Sequence, residues 1–342
     1  MRVLVTGCGG FLGREIVRAL IERGDEVVGM GRGDYSGLMN SGLANSGVSL
    51  LRGDVRDVAC VNKACQGIDA VIHTAAVAGV WGPWEYFHGI NTLGTENIIS
   101  ACRQERVPIL VHCSSPSVTF DGGHQSGIDE SAAYAAKHLC HYSHTKALAE
   151  SAVLSAHEPG RLHTVALRPH LIWGVGDPHL LPRLVARARA GRLVIVGDGK
   201  NRIDTVHVRN AALAHINALD RMSEPAPLAG GRAFFITQDD PVDCWQWISR
   251  LLAIAGCEPP RRRISFSAAW KIGASMEMAY RILGVKREPP MTRFLAAQLA
   301  RDHYFDISAA RTMLGYVPQV STESGLDELR KSLAKSNLLA TS

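Results

Sequence analysis

A tyrosine and a lysine four residues apart form a candidate proton-transfer pair. Tyr142 and Lys146 stand about one turn apart, so on a helix their side chains share a face. A free phenol has a pKa of about 10, too high for proton exchange near neutrality, and a neighbouring ammonium stabilises the phenolate. Tyr142 is therefore predicted to give a proton to a carbonyl oxygen, or to take one from an alcohol.

A hydroxyl that would hold the reacting oxygen follows the fifth predicted strand. The segment 113–117 reads CSSPS, and ligands of parallel sheets bind at the carboxyl ends of the strands. Ser115 is the candidate, with Ser114 and Ser117 as alternatives. Capping of the turn is the structural role that all three could have instead.

The first predicted strand runs directly into a glycine-rich turn, TGCGGFLG at 6–13. Glycines between a strand and a helix allow a tight bend and a close approach of the backbone to a pyrophosphate. The pyrophosphate then lies at the positive end of the helix. The pattern predicts dinucleotide binding by Gly7, Gly10, Phe11, Leu12 and Gly13.

The end of the second strand indicates which dinucleotide is bound. NAD enzymes usually carry an acidic residue there for the ribose hydroxyls, whereas here Gly31, Arg32 and Gly33 follow the strand. A guanidinium suits the 2′-phosphate of NADP, so NADPH is the predicted cofactor; a solvated turn is the alternative role of Arg32. Asp54, after the third strand, is expected to accept from the adenine amino group.

The elements that must position these residues alternate along the first half of the chain. Apolar strands are predicted at 3–6, 26–30, 49–52, 70–73, 109–114 and 164–168, and helices at 14–23, 57–65, 89–103 and 142–156. This alternation predicts a doubly wound parallel α/β sheet, a Rossmann sheet, with helices on both faces. Further strands are predicted at 204–208 and 233–237.

Two interleaved regions follow from this pattern. Residues 1–170, with the returning segment 204–238, are predicted to form the NADP-binding domain. Residues 171–203 and 239–342 are predicted to form a smaller, mostly helical substrate region. At 342 residues the chain has ample material for a core, and 46% hydrophobic residues exclude a disordered protein.

The distribution of charge and the cysteine content indicate which partners and which cellular compartment to expect. Residues 1–258 carry 24 basic and 25 acidic side chains, and residues 259–342 carry 13 and 7, so the net +5 lies in the last quarter. That excess indicates a solvated face or contact with an anionic membrane or acidic partner, and no pattern favours nucleic acid. Eight unpaired cysteines, no secretory leader and no spanning apolar stretch predict a cytoplasmic protein.

The motifs together resemble the extended short-chain dehydrogenase/reductase family. They are TGxxGxxG at 6–13, Asp54, HxAA at 73–76, NxxGT at 91–95, Ser115 before Val118, YxxxK at 142–146 and Arg-Pro at 168–169. The resemblance implies that Tyr142 is the proton donor, that Lys146 binds the ribose and tunes the phenol, and that Ser115 holds the carbonyl. It also extends the cofactor site to Val55, Ala75, Ala76, Asn91, Pro169 and His170.

Within that family the chain is similar to the 3β-hydroxysteroid dehydrogenase/isomerase branch. More narrowly, segments 78–82, 115–118, 167–174, 179–184 and 314–318 resemble the bacterial reductases of long-chain olefin biosynthesis. The resemblance implies NADPH-dependent reduction of the 3-keto group of a long-chain 2-alkyl-3-oxoalkanoate. It further implies contact with other enzymes of the acyl pathway, and a homodimer is compatible with it.

Substrate contacts are open at this stage. Trp81, in an aromatic segment after the fourth strand, and Ser117 are candidates, and packing is the alternative role of Trp81. Candidate anchors for a substrate carboxylate are Arg183, Lys200, Arg202 and His207. Residues 266–283 have helical period, with apolar residues at 269, 272, 276, 280 and 283, and predict a core helix or a lid over an alkyl chain.

The sequence lacks some of the residues that competing functions would require. A nucleotide-sugar dehydratase would place an acidic pair beside Ser115, and an epimerase would place an acid near Gly31. A non-enzymatic NADP sensor would be expected to lack the Tyr–Lys pair. A steroid or sterol 3-dehydrogenase shares every catalytic residue and is the strongest alternative. The histidines at 138, 141 and 144 lack acidic or cysteine partners, so no metal site is predicted.

Overall fold

A seven-stranded sheet forms the centre of the computed structural model, which describes residues 1–33, 35 and 48–340, with side chains up to 335. All its strands are parallel, in the order β12-β7-β5-β4-β1-β2-β3. They are β1 (Arg2–Thr6), β2 (Glu26–Gly31), β3 (Val48–Arg52), β4 (Ala70–His73), β5 (Ile109–Cys113), β7 (His163–Pro169) and β12 (Arg232–Ile236). Each agrees with its predicted strand within one residue at either end, so the parallel α/β prediction is confirmed.

Helices cover both faces of this sheet, as the unbroken apolar strands require. Helices α1 (Phe11–Glu22) and α7 (Val208–Met222) bury their apolar sides against one face. Against the other face pack α2 (Val58–Cys65), α4 (Gly94–Glu105) and α5 (His141–Ser155). A short helix α3 (Trp84–Phe87) and a π-helical segment (His88–Leu93) lead into α4. The four helices predicted in the first half are therefore confirmed.

The second region is built from short strands and six helices among the described residues. A mixed sheet is formed by β6 (Gln125–Ile128), β10 (Arg202–Ile203), β13 (Val242–Asp243) and β15 (His303–Phe305). Two further pairs of strands are β8 (Ile172–Trp173) with β11 (Val206–His207), and β9 (Ile195–Val196) with β14 (Arg263–Ile264). The helices are α6 (Leu180–Arg189), α8 (Cys244–Ile254), α9 (Phe266–Ile282), α10 (Arg293–Ala300), α11 (Ser308–Leu314) and α12 (Thr322–Ala340).

A separate apolar core holds this region together. Trp173, Leu184, Trp247, Leu252 and Leu326 are buried in it, on elements far apart in the chain. Trp173 and Trp247 meet edge to face at 5.9 Å, a favourable aromatic geometry. The segment 204–238 leaves this core and returns to the large sheet, where α7 packs on the strands and β12 pairs with β7.

Two parts of the chain differ from the predicted organisation. The strand predicted at 204–208 is interrupted: Asp204 is buried, its carboxylate accepts the backbone N–H of Phe305 at 2.8 Å, and helix α7 begins at Val208. Residues 305–316, predicted to belong to the substrate region, pack into the core of the large sheet through Leu314 and Tyr316. Contacts between residues distant in sequence decided both outcomes.

Each helix within the described ranges is too short or too polar to cross a lipid bilayer.

Candidate active site

The glycine-rich turn between β1 and α1 is shaped so that only glycine fits it. Gly7 has a φ of +72°, and a Cβ there would lie 2.8 Å from the backbone nitrogen of Ala75. A Cβ on Gly13 would lie 2.2 Å from the carbonyl oxygen of Gly7, so the helix starts directly on the turn. Gly10 caps α1 without a side-chain hydrogen bond, which leaves the first backbone N–H groups free for an anion. This cradle fits a dinucleotide pyrophosphate.

A buried polar chain supports the turn from below. The hydroxyl of Thr6 donates to Nδ1 of His73 at 2.7 Å, Nε2 of His73 donates to the hydroxyl of Thr95 at 3.0 Å, and Thr95 donates to the carbonyl of Asn91 at 2.6 Å. Burial, with the charge of Lys146, lowers the pKa of His73 to about 3, so the imidazole is neutral and the directions of these bonds are consistent. The end of β1 is thereby fixed to the helix that follows β4.

The phenol of Tyr142 lies beside the hydroxyl of Ser115 on the wall of an apolar cleft at the carboxyl ends of the strands. Burial raises the pKa of Tyr142 to about 12, and the hydrogen bond from Ser115 lowers it. Ser115 Oγ lies 2.9 Å from Ser117 Oγ and accepts the backbone N–H of Ser117 at 3.2 Å, which holds its hydroxyl in place. A carbonyl oxygen between the phenol and Ser115 could receive a proton from Tyr142.

Lys146 lies one turn further along α5, in the interior. Its ammonium donates to the carbonyl of Cys113 at 2.6 Å and to Nε2 of His112 at 3.2 Å, and the residue is 2% exposed. Burial lowers its pKa, while the nearby Cys113 and Glu150 raise it. Burial and the lysine together lower the pKa of His112 well below its usual value, so this ring accepts as a neutral group.

Several predicted cofactor residues position the site through the backbone or through packing. Asn91 accepts the N–H of Val77 at 2.8 Å and donates to the hydroxyl of Thr145 at 3.1 Å, which connects the loop after β4 to α5. Ala75 lies with its backbone against Gly7, and Ala76 lines the cleft. Val55 is buried against Gly94, at the start of α4.

The predicted adenosine end of the site is polar and exposed. Asp54 pairs with Arg56, whose Nη2 lies 2.7 Å from Oδ2, and Arg56 and then Arg32 hold the pKa of Asp54 below its usual value. The ring of Tyr35, which sequence reasoning missed, packs over Gly9 and Gly31, where added Cβ atoms would lie 1.9 Å from it. The only signal in the sequence for Tyr35 is an aromatic residue three positions after Arg32. Residues 34 and 36–47 lie outside the described structure.

The cleft has a volume of about 480 Å³ and continues beyond the phenol into the second region. Leu171, at a φ of +42°, and Phe294 line its far end, and a strained non-glycine residue of this kind is typical of a functional wall. Nε2 of His170 donates to Nδ1 of His303 at 2.6 Å, and His303 donates to the carbonyl of Gln298 at 2.8 Å. Burial lowers the pKa of both rings, so they form a neutral wall.

Comparison with known families decides what this arrangement belongs to. The family model of the 3-beta hydroxysteroid dehydrogenase/isomerase family matches residues 4–267, about three quarters of the chain. The protein is a member of this family. It is therefore an oxidoreductase that acts on a keto or hydroxyl group, with its large sheet and candidate catalytic residues inside the matched part.

Relatives of the chain within the family carry narrower names. It is 44% identical to the 2-alkyl-3-oxoalkanoate reductases of Shewanella oneidensis (96% of this chain, 85% of the relative) and Stenotrophomonas maltophilia (98% and 100%). It is 32% identical to the mouse sterol-4-alpha-carboxylate 3-dehydrogenase, decarboxylating (96% and 90%). The Bacillus cereus UDP-glucuronic acid 4-epimerase, solved with NAD, has the same fold at 23% identity, with a TM-score of 0.74 over 98% and 99% of the chains.

The structure separates the predicted substrate residues of this family member into two groups. Ser117 and Arg183 line the cleft. Trp81 lies outside its lining, because its indole donates to the carbonyl of Val285 at 3.1 Å and packs under Arg281. Arg202 also lies away from it, donating to the carbonyl of Pro241 at 3.2 Å and covering Tyr304.

The other two candidate anchors, Lys200 and His207, are also absent from the described cleft lining. Residues of the cleft that sequence reasoning missed come from elements distant in the chain. They are Thr74, Phe120, Leu171, Phe294, Gln298 and Phe305. No local signal in the sequence marks Phe294, Gln298 and Phe305, because only the packing of α10 and β15 against the large sheet brings them to the site.

The helix predicted at 266–283 buries a different face from the expected one. Ala269, Gly273 and Glu277 are buried, whereas Ile272 and Leu283 of the predicted apolar stripe are exposed. A Cβ on Gly273 would lie 2.6 Å from the backbone of Thr292, so small residues let α9 approach α10 closely. Residues of α9 do not contribute to the described lining of the cleft, so a lid over it is not the role that this placement supports.

Proposed function

We propose that the protein uses NADPH to reduce the 3-keto group of a long-chain 2-alkyl-3-oxoalkanoate to the 3-hydroxy acid. The observation that carries this proposal is the pair Tyr142 and Ser115 on the wall of a cleft whose lining as a whole is mainly apolar. The two reductases that are 44% identical over nearly the full chain support the substrate class.

In the proposed reaction, each side chain has one task. When bound, the cofactor supplies hydride to the substrate carbon. Ser115 donates a hydrogen bond to the keto oxygen, and Tyr142 donates its proton to the same oxygen, so the carbonyl becomes an alcohol. Lys146 places a positive charge one turn from the phenol and stabilises the phenolate that remains. Free backbone N–H groups at the start of α1 would hold the pyrophosphate.

The substrate class is tested by product analysis. Purified protein with NADPH and a 2-alkyl-3-oxo acid is expected to form the 2-alkyl-3-hydroxy acid, detected by mass spectrometry. The competing candidate is a 3β-hydroxysteroid or sterol 3-dehydrogenase, which the family and the 32% identical sterol enzyme favour. A parallel incubation with NADP⁺ and a 3β-hydroxysteroid measures it, and reaction of the steroid alone would overturn the proposal.

The choice of NADPH rests on Arg32 and on the absence of an acidic residue at the end of β2. The ratio of kcat/KM with NADPH to that with NADH is expected to exceed one and to fall in Arg32→Ala. Arg103→Ala, in the last turn of α4 and away from the glycine-rich turn, removes an exposed arginine and should leave the ratio unchanged. A preference of the wild type for NADH would contradict this part of the proposal.

We also propose that the reaction belongs to long-chain olefin biosynthesis in the cytoplasm, where other enzymes make the keto acid and consume the hydroxy acid. Resemblance to the bacterial reductases supports this setting, and it predicts association with enzymes of the same acyl pathway or a homodimer. Co-purification from a host that expresses the pathway, together with the mass in solution, tests these associations. A monomer that recovers none of these enzymes would contradict them.

A further inference from the structure

A second cavity extends the catalytic cleft into the interior of the substrate region. It has a volume of about 180 Å³ and shares Val80, Leu171, Leu180, Arg183 and Phe294 with the cleft, so the two cavities adjoin at these side chains. We call this second cavity the chamber. Its volume is close to that of engineered apolar cavities of about 150 Å³ that bind benzene, so about six to eight carbon atoms would fill it.

Three helices supply an apolar wall. Leu184 of α6, Ile248 of α8 and Leu299 of α10 line the chamber, and Leu184 and Ile248 are buried. Each helix comes from a different part of the chain and packs in the separate core of the substrate region. The wall is therefore built on rigid elements rather than on loops.

An ion-pair cluster closes the outer side of the chamber. Glu288 lies 3.5 Å from Arg183 and 3.8 Å from Arg187, and all three side chains line the cavity. Glu288 balances one of the two arginine charges, so the partly exposed cluster keeps one excess positive charge at the rim, and the apolar wall lies behind it.

We infer that the chamber binds the distal carbons of one alkyl chain of the substrate. The inference rests on the proposed function, because the hydroxyls of Tyr142 and Ser115 would hold the keto oxygen at the cleft end. A chain bonded to that carbonyl carbon then leads through the shared residues into the chamber. Each methylene moved from water into an apolar site strengthens binding by roughly fourfold.

A chain-length series of 2-alkyl-3-oxo acids tests this inference. The value of kcat/KM for their reduction is expected to rise by about fourfold per methylene and then to level off once the chamber is full. Ile248→Trp, or Leu184→Phe if the first variant does not fold, should lower kcat/KM by at least about thirtyfold for long chains. Reduction of the shortest acid should stay unchanged. Leu228→Trp, at an exposed position in a distant loop, is the control.

Calorimetry with saturated fatty acids from hexanoate to hexadecanoate separates this inference from the proposed reaction. The affinity of these acids for the wild type should rise with chain length and then level off. In Ile248→Trp this rise and plateau should be absent, even if another ketone is the true substrate. Equal losses for all chain lengths, or affinity that does not depend on length, would overturn the chamber as an alkyl site. If no 2-alkyl-3-oxo acid is reduced while the plateau is present, only the proposed function fails.

A different feature, the outer face of α9, carries a second inference. Met278 is 65% exposed, Ile282 77% and Leu283 73%. Met278 and Ile282 stand one turn apart, so they form a continuous apolar stripe on the outside of the molecule. The opposite side of α9 is held against α10, where Glu277 accepts three hydrogen bonds from Arg293. The stripe is therefore fixed in an outward position.

Basic side chains surround this stripe. They are Lys271, Arg281, Lys286 and Arg287, and among the described residues none of them forms an ion pair with a carboxylate. The nearby acids are already engaged, Glu277 by Arg293 and Glu288 by Arg183 and Arg187. An apolar stripe beside cations that have no carboxylate partner is complementary to an anionic lipid surface.

We propose that this face of α9 docks on an anionic membrane. The same helix lines a groove of about 1010 Å³ with Tyr280 and Arg281, and Val80 lines both this groove and the catalytic cleft. A lipid-like substrate dissolved in the membrane would then reach the cleft along the groove. Each cation near the surface contributes roughly a fivefold increase in affinity.

Sedimentation with vesicles tests this docking. The wild type is expected to bind vesicles of phosphatidylcholine with phosphatidylglycerol, to bind pure phosphatidylcholine weakly, and to dissociate in high salt. Lys286→Glu with Arg287→Glu, and Ile282→Glu with Leu283→Glu, should each reduce binding by at least about tenfold. Leu228→Glu, an exposed leucine elsewhere, should bind as the wild type does.

Three results would overturn the membrane proposal. The first is equal binding of all variants, and the second is a wild type that does not bind anionic vesicles. The third is a dimer in solution that Ile282→Glu with Leu283→Glu converts to a monomer, because a second copy would then cover the stripe.

Discussion

Each half of the molecule holds an arginine with a buried glutamate, and the two pairs differ in how far water is excluded. In the cofactor half, Glu150 of α5 holds Arg168 of β7, with side-chain exposures of 0% and 4%. In the substrate half, Glu277 of α9 holds Arg293 of α10, with exposures of 4% and 28%. The difference indicates that the catalytic helix is fixed in a dry interior, whereas the substrate helices are fixed near the surface.

The surroundings of the two pairs follow the same division. Beneath the catalytic helix, polar side chains bond to one another in the interior, as in the chain from Thr6 through His73 and the contact of Lys146 with His112. The substrate half presents an apolar chamber and leaves its charges at the rim. Proton transfer needs groups held within hydrogen-bond distance, whereas an alkyl chain needs only volume and an apolar wall.

Tyr142→Phe is expected to have the largest effect. It changes only the cofactor half, which contains the buried pair Glu150 and Arg168. Loss of the phenol removes the proton donor, so kcat/KM for ketone reduction should fall by about a thousandfold or more. Cofactor affinity, measured by quenching of protein fluorescence, should stay within about twofold of the wild type. Tyr86→Phe, an exposed tyrosine outside the cleft, is the control. Retained turnover in Tyr142→Phe would contradict the assigned role.

Glu150→Gln tests the ion pair between Glu150 and Arg168 in the cofactor half. It removes the carboxylate that is hydrogen-bonded to the buried guanidinium of Arg168, so the free energy of unfolding in urea should fall by about 3–5 kcal/mol. Glu158→Gln removes an exposed partner of Arg161 and should cost at most about 0.5 kcal/mol. A similar small loss in Glu150→Gln would show that water reaches the catalytic helix.

Glu277→Gln makes the matching change in the substrate half. Arg293 is partly exposed and can be hydrated after the change, so a smaller loss of about 1–2 kcal/mol is expected. The measurement is the same urea titration, and activity with a short-chain substrate should be retained. Equal losses in Glu150→Gln and Glu277→Gln would remove the distinction between the two halves.

Lys146→Met is expected to have the smallest effect, a shift in the pH dependence of the reaction. Reduction needs the protonated phenol and is lost as pH rises through its pKa, whereas alcohol oxidation needs the phenolate and is gained there. In the proposed role of Lys146, loss of the ammonium raises the pKa of Tyr142, so the increase of kcat/KM for oxidation is expected to move to higher pH. A pKa that is higher by one lowers the rate of oxidation roughly tenfold at a fixed lower pH. Lys63→Met, on a surface helix, should leave the profile in place.

Sequence reasoning found the large sheet because its signals are local. Apolar runs of strand length, such as 109–113, alternate with helical periods, and parallel pairing follows from that alternation. The same reasoning chose the wrong face of α9, because Gly273 and Glu277 look like exposed positions until Thr292 and Arg293 pack against them. Small residues at a helix contact carry no hydrophobic signal.

By itself, the amino-acid sequence determined the parallel sheet, the glycine turn and the candidate pair Tyr142 and Lys146, since each depends on spacing within about one element. Only the tertiary structure decided that Trp81 and Arg202 lie outside the cleft, that His112 accepts from Lys146, and that helices from three parts of the chain enclose the chamber. Those features arise where distant segments meet, and packing between them sets which side chains share a surface.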